Sequence, residues 1–326
     1  MEIVRIALQC LALDDRSFDL GFARRYEALQ RSIGEVGVLQ PLLTRPRPAD
    51  TKYQIVCGFG RALVARGLSV PEIPIVALDA AITDADCLRL ALFDNLPHRQ
   101  FNPIERAIIL TKLGQHVDRD RLVSDYMPLL GMQPGATLFH RTVALMGLVD
   151  RLKWAVAEGR IEEKVGVALS SLSPSDQEVF ARFLERCQPS VSIAREWAEA
   201  LVAVARRDNR TLLEVAMTPE VAAILESEEM TRGERTAALR RHFQRLRYPT
   251  VSARETRFDE AKAVLRLPPS MRLEPAPSFE SDEISLEIRF RNEAELRDAL
   301  VMLEKWFDDP DLLKRLWQTR AEPDRD

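Results

Sequence analysis

The sequence predicts a multidomain, mainly helical protein. It divides into an α+β N-terminal domain over 1–115, an all-α middle domain over 116–250 and a small α-β-β-α domain over 251–326. Three observations carry that reading. Short β-rich runs bounded by turn residues alternate with helical stretches up to about residue 80. Strand signals are then almost absent until residue 250. They return in "EISLEIRFR", where Ile284, Leu286, Ile288 and Phe290 face one way and Ser285, Glu287, Arg289 and Arg291 the other.

In chain order, "EIVRIAL" reads as a strand and "GFARRYEALQRSIGEVG" as a helix closed by Gly37. "QPLLTRP" and "YQIVCG" read as strands, and "ARGLSVPEIPIVAL" as a short helix, a turn and a strand. Residues 84–92 and 103–115 have helical spacing. The helices of the middle region are punctuated by "LGMQPG", "AEGR", "LSPSD" and "RRDN", and Ser173 with Pro174 behind it is a strong helix start. In the tail, "RFDEAKAVLRLPP" predicts a short helix with Phe258, Ala261, Val264 and Leu265 on one side. "SMRLEPAP" predicts a strand. "NEAELRDALVMLEKWF" predicts a helix capped by Asn292, with a seam of Leu296, Leu300, Leu303 and Phe307. So small a core is marginal alone, and pairing with a second copy is one remedy.

Composition narrows the function classes. No run approaches the ~18 apolar residues of a membrane span, so a membrane partner is not expected. The opening "MEIVRIALQCLALDD" lacks the basic region of a signal peptide. Cys10, Cys57, Cys87 and Cys187 stand singly, and the four His are scattered. That excludes a zinc motif or disulfide framework and predicts a cytoplasmic protein. Net charge is −4, so the chain is not a globally basic nucleic-acid binder. Within that balance, "TRGERTAALRRHFQRLR" holds six Arg and one Glu. A local basic helix of this kind can meet phosphates through Arg241 and Arg245, although packing on the bundle as a solvated face is the plainer reading.

Three stretches of the first domain place Gly, Arg or Asn where a strand or turn meets a helix. They are "SIGEVGVLQPLLTRP" with Gly37, Gln40, Pro41 and Arg45, "YQIVCGFGRALVARGL" with Gly58, Phe59, Gly60 and Arg61, and "DNLPHRQFNPIERA" with Asp94 and Asn95. Gly58 and Gly60 permit positive φ and close backbone approach. The helix behind them aims its N-terminal N–H groups at the same spot, and Arg61 adds a cationic fork. Together they form a candidate phosphate site.

In order and spacing these stretches resemble the N-terminal domain of the ParB family, whose boxes read roughly Gly-x-x-Gln-Pro-x-x-x-Arg, Gly-Glu-Arg-Arg and Glu-Asn-Leu-Gln-Arg before Asn-Pro-Ile-Glu. Asn95, Leu96, Asn102, Pro103, Ile104 and Glu105 match the last box. The resemblance implies a ParB/sulfiredoxin-like fold that binds CTP with Mg2+ and acts as a DNA-sliding clamp. It assigns Gly37, Gln40, Arg45, Gly58, Phe59, Gly60, Arg61 and Asn95 to the nucleotide, Asn95 to Mg2+ and Asp94 to CTP hydrolysis. The chain departs from the pattern at three places: Asp94 replaces Glu, Pro97 and His98 replace Gln-Arg, and Phe59 and Gly60 replace Glu-Arg. The same fold hosts sulfiredoxins, with catalytic Cys in Gly-Cys-His-Arg. Phe59 stands at that place here, which sets their chemistry aside.

The resemblance continues in "RLVSDYMPLLGMQPGATLFHRTVALMGLVDRLKWAVAEGRI", which looks like the family's helix-turn-helix. "ATLFHRTVALM" is then the recognition helix, with Leu138, Leu145 and Met146 inward and Thr137, His140, Arg141 and Ala144 outward toward double-stranded DNA. A plain corner of a helical bundle is the alternative. The tail resembles the family's dimerisation domain. The implied whole is a nucleoid-associated, dimeric, DNA-binding protein of DNA partition or regulation, with a ParA-type ATPase as a further partner. Against it stand a protein–protein adaptor that has kept the fold and lost nucleotide binding, and a nucleotide-dependent enzyme on the same fold.

Overall fold

The computed structural model describes residues 2–22, 25–47, 51–281, 283–307, 314 and 316. The chain forms two compact units, residues 1–198 and 199–326, so the division falls inside the stretch expected to be the middle domain.

The first unit is built on a four-stranded sheet of β1 (Ile3–Ala7), β2 (Leu42–Pro46), β3 (Tyr53–Cys57) and β4 (Glu72–Ala77), in the order β1-β4-β2-β3. β1 pairs antiparallel with β4, β4 parallel with β2, and β2 antiparallel with β3. All four strands coincide with the β-rich runs of the sequence. Leu42, Ile55, Ile73 and Ile75 are fully buried at its centre. Helices α1 (Glu27–Val36), α2 (Phe59–Gly67), α3 (Asp84–Asn95) and α4 (Pro103–Leu113) accompany the sheet.

Helix α1 begins at Glu27, not at residue 21 as its apolar spacing predicts. The preceding segment is tied down elsewhere: the Phe22 N–H donates to Glu105, and its carbonyl accepts from Asn102. The Phe22 carbonyl, which a helix starting there needs for the N–H four residues on, is thereby committed to a different element.

Short helical turns from Arg119 to Leu129 follow α4, then Gly131 at φ 71° and α5 (Ala136–Ala144). The buried cluster of the sheet includes Leu113, Leu122, Tyr126, Met127 and Leu130, with Leu138, Phe139 and Val143 of α5 packed on it. The core therefore runs without a break across residue 115. Helices α6 (Asp150–Ala157), α7 (Glu163–Leu169) and α8 (Pro174–Cys187) complete this part. Ser173 accepts from the Asp176 N–H with Pro174 at the first helical position, as its sequence predicts. Helix α9 (Val191–Arg207) spans the division between the units.

The second unit holds α10 (Leu212–Ala216), α11 (Pro219–Glu226), α12 (Arg232–Arg247), α13 (Pro249–Leu265), β5 (Met271–Pro275), β6 (Ile284–Ile288) and α14 (Glu293–Phe307). β5 and β6 pair antiparallel, and Met271 and Leu273 pack with Phe258, Ala261 and Leu265 of α13. Helix α13 is longer than its apolar spacing predicts, and Val264 is half exposed rather than packed. The seam of α14 is displaced by one position. Ala299, Met302, Leu303 and Trp306 join this core, while Leu300 is 50% and Phe307 72% exposed. The observed set keeps the i, i+3, i+4, i+7 spacing, and Trp306, the largest side chain of the stretch, decides which face is covered. No helix among the described residues is long and apolar enough to cross a membrane.

Candidate functional site

Several chain segments converge on a cavity of about 270 Å³ in the first unit: residues 18–20, Tyr26 and Leu29, Gln40 before β2, the β3–α2 junction and the end of α3. Gln40, Gly58, Phe59, Gly60, Arg61, Asp94 and Asn95 line it, together with Asp19, Tyr26 and His98. The first seven belong to the set drawn from the sequence. Gly37 and Arg45 of that set do not line it. Gly37 terminates α1 at φ 74°. Arg45 reaches the other way along β2: it donates to Gln54 at 2.6 and 3.1 Å and to the Ile82 carbonyl at 2.8 Å, and it pairs with Asp84 at 2.7 Å. Its charge is committed to joining β2, β3 and the start of α3.

Gly58 precedes α2 at φ 100°, a left-handed conformation that L side chains rarely adopt. No side chain caps α2, so the first N–H groups of the helix are left to a ligand or solvent. A Cβ at Gly58 would sit 3.0–3.1 Å from Nη2 and Nε of Arg61 and from Leu42. The missing side chain is thus the space into which that edge of the guanidinium reaches. Gly60 differs from expectation, because it lies within α2 without positive φ. Its role is room: a Cβ there would lie 2.7 Å from the ring of Tyr26, which closes over it.

Arg61 is fixed by Nη1, which donates to the carbonyls of Gln40 at 2.9 Å and Pro41 at 3.0 Å. This explains why "LQP" and "GFGR" occur together: the guanidinium of one stretch is oriented by the backbone of the other. Burial holds the Arg61 group below its ordinary value, while the charge of Asp94 works in the opposite direction. Cys57 is pushed up to about 12, first by burial and then by the charge of Asp94, to which its thiol also hydrogen-bonds. At pH 8 only about one such thiol in ten thousand is ionised, so iodoacetamide is expected to leave Cys57 of the folded protein unmodified. An unfolded thiol titrates near 9.0. The folded state therefore binds the extra proton between 9 and 12, and its stability falls as pH rises through that window. Rapid native-state labelling of Cys57, read by mass spectrometry, would contradict the burial described.

Asn95 lines the cavity with its amide already engaged. Nδ2 donates to the Ala91 carbonyl at 2.8 Å, and Oδ1 accepts from Arg99 Nε at 3.0 Å. Arg99 continues to both oxygens of Glu105 at 2.6 and 2.7 Å. Glu105 is 2% exposed and also accepts from the N–H groups of Phe22 at 3.0 Å and Asn102 at 3.2 Å. Asn102 returns a bond to the Glu105 N–H, a reciprocal cap at the start of α4. The "DNLPHRQFNPIE" stretch is therefore a latch as well as a helix boundary. It ties the end of α3, which lines the cavity, to the start of α4 and to Phe22 in one network. The sequence reading matches Glu105 to the last box only as part of a helix start, and it does not name Arg99, because a Glu at this position is an ordinary capping residue. The available signal was an Arg six residues before it.

The donor set suits an anion: an uncapped helix N-terminus, a glycine cradle and one oriented guanidinium. Asp94 is the carboxylate that could meet a cation carried by that anion. Among the described residues there is no group of three or more His, Cys, Asp or Glu able to hold a metal ion alone. Mg2+ commonly takes one or two carboxylates and completes its shell with phosphate oxygens and water.

The other predicted residues lie elsewhere. Thr137, His140 and Arg141 are exposed on one face of α5, while Leu138 packs on the core and Leu145 is buried. In the second unit Arg241 is exposed on α12. Arg245 is exposed too, but it pairs with Glu220 at 2.7 Å, and the same carboxylate meets the buried His242 at 3.1 Å.

Residues 22–96 match the family model of the ParB N-terminal domain. The probable chromosome-partitioning protein ParB of Pseudomonas putida is 27% identical over 52% of this chain and 58% of its own length. The chromosome-partitioning protein Spo0J of Thermus thermophilus is 36% identical over 32% of this chain and 38% of its own. The chain thus aligns with less than two thirds of the length of either relative. Among solved structures, the C-terminally truncated ParB of Caulobacter crescentus complexed with CTP-gamma-S is 22% identical, covering 56% of this chain and 98% of that one, with a TM-score of 0.28.

Proposed function

The chain is a homologue of the ParB proteins and carries their N-terminal domain, and from that premise we propose that it is a DNA-partitioning protein whose N-terminal cavity takes CTP with Mg2+ and governs DNA binding by the helix-turn-helix. One observation carries the reading. Residues from all three sequence boxes, Gln40, Gly58, Arg61, Asp94 and Asn95, meet at a single cavity at an uncapped helix N-terminus.

In this reading the first N–H groups of α2 and the Nε–Nη2 edge of Arg61 hold the phosphates, and the Gln40 and Pro41 carbonyls keep that edge aimed. Asp94 would hold the Mg2+, which when bound would neutralise phosphate charge. Asn95 acts by positioning, through Arg99. Any hydrolysis of CTP falls to water oriented by Asp94. The exposed Thr137, His140 and Arg141 of α5 face double-stranded DNA, and Arg241 adds a backbone contact. Arg245, already paired with Glu220, adds less. The second unit pairs with a second copy: its core is thin, and Phe290, Leu300 and Phe307 expose apolar surface. A ParA-type ATPase and a nucleoid location complete the proposal.

The test of the DNA half is fluorescence anisotropy on a duplex carrying the organism's partition site, against a scrambled duplex. The wild type is expected to prefer the site, and Thr137→Ala with Arg141→Ala to lose at least tenfold in affinity, as for base contacts of roughly 1–3 kcal/mol each. Equal, salt-insensitive binding of both duplexes would contradict it.

A further inference from the structure

A second cavity in the first unit, of about 370 Å³, lies between the α3–α4 connection and the turn before α5. Arg99, Gln100 and Arg106 line it with residues 129–131. Its lining holds two guanidinium groups and no carboxylate. The two cations are not equivalent. Arg99 is committed to both oxygens of Glu105 and lies over the Phe101 ring, 4.4 Å from its centre. The side chain of Arg106 has no hydrogen bond or ion pair among the described residues, and its Nε is buried without a partner. A buried N–H of a permanently charged group is costly to leave unmade. In a native fold such a group calls for a ligand.

We infer that this cleft is an anion site that takes one phosphate group of the DNA backbone, with Arg106 as its principal donor. The guanidinium fork matches two phosphate oxygens, Gln100 supplies a neutral donor beside it, and no acidic side chain is among the lining residues. The place in the fold selects DNA as the source. Residues 129–131 end the first half of the helix-turn-helix and lead to α5, and in this motif the helix before the turn crosses the sugar–phosphate backbone while the second helix reads bases. A phosphate held here fixes the register of α5 without reading sequence. The inference rests on the helix-turn-helix reading above. It assigns a contact outside both α5 and the nucleotide cavity.

The experiment measures binding of the full chain to a short mixed-sequence duplex across roughly 50–200 mM KCl. Arg106→Gln, which keeps a polar stem and removes the charge, is expected to lower the slope of log K against log salt by about 1. It is expected to weaken binding to every duplex by a similar factor and to leave nucleotide affinity unchanged. Arg106→Lys keeps the slope. Thermal unfolding of both variants alongside the wild type separates a lost contact from a lost fold, and the slope of the lysine variant carries the test if the glutamine variant is unstable. Wild-type slope and affinity in Arg106→Gln would overturn the phosphate site and leave the helix-turn-helix reading standing, as would a slope reduced in Arg106→Lys. No binding of any duplex by the wild type would overturn both.

Discussion

Replacing Glu105 by alanine is expected to destabilise the first unit by about 3–5 kcal/mol, the range for breaking a buried ion pair by removal of one partner. The carboxylate is 2% exposed and takes four hydrogen bonds, two from Arg99 and one each from the Phe22 and Asn102 N–H groups. Alanine leaves the guanidinium and both N–H groups without that partner, and the position of the lost carboxylate is itself buried. Asn102→Ala removes only the cap and its bond to the Phe22 carbonyl, and is expected to cost about 1 kcal/mol. Urea unfolding followed by circular dichroism at 222 nm (a roughly standard helix wavelength) measures both. A loss from Glu105→Ala no larger than that from Asn102→Ala would mean that the latch does not hold the cavity walls together.

Arg61→Ala is expected to weaken nucleotide binding by roughly 10- to 150-fold, the equivalent of one charged hydrogen-bonding group at about 1.5–3 kcal/mol. Arg61 is the guanidinium that lines the cavity, and it is held in place by two carbonyls. Lysine is not expected to rescue it, because a point charge cannot span both carbonyls and the Gly58 gap together. Arg45→Ala is the matched control. It should lower stability through Gln54, Ile82 and Asp84 and leave nucleotide affinity unchanged. Calorimetric titration of the two variants reads the difference. Equal affinities in wild type and Arg61→Ala would remove the cation from the proposed site.

The particular residues show where sequence reasoning carried and where it stopped. The strands of the sheet were legible because each is a short β-rich run between turn residues. Gly58 was legible because a glycine before an apolar helix predicts the left-handed turn that is found. The partners of cations were not legible. Arg45 and Arg61 both follow β-rich runs in matching boxes, yet one is consumed by its cross-strand neighbour Gln54 and the other by two carbonyls at the cavity. Only the direction of each side chain separates them. The start of α1 was hidden for a related reason: the competing partner of Phe22 is Glu105, more than eighty residues away. The seam of α14 was off by one because heptad counting weighs all apolar residues alike, whereas the indole of Trp306 fixes the covered face.

The most direct test of the central claim is calorimetric titration of the full chain with CTP in the presence of Mg2+, beside ATP and GTP. Saturable binding of CTP, selective over both purine nucleotides and lost in Arg61→Ala, is the predicted result. Absence of binding by any of the three at millimolar concentration would contradict it and leave a protein with a match to the ParB N-terminal domain whose cavity serves no nucleotide.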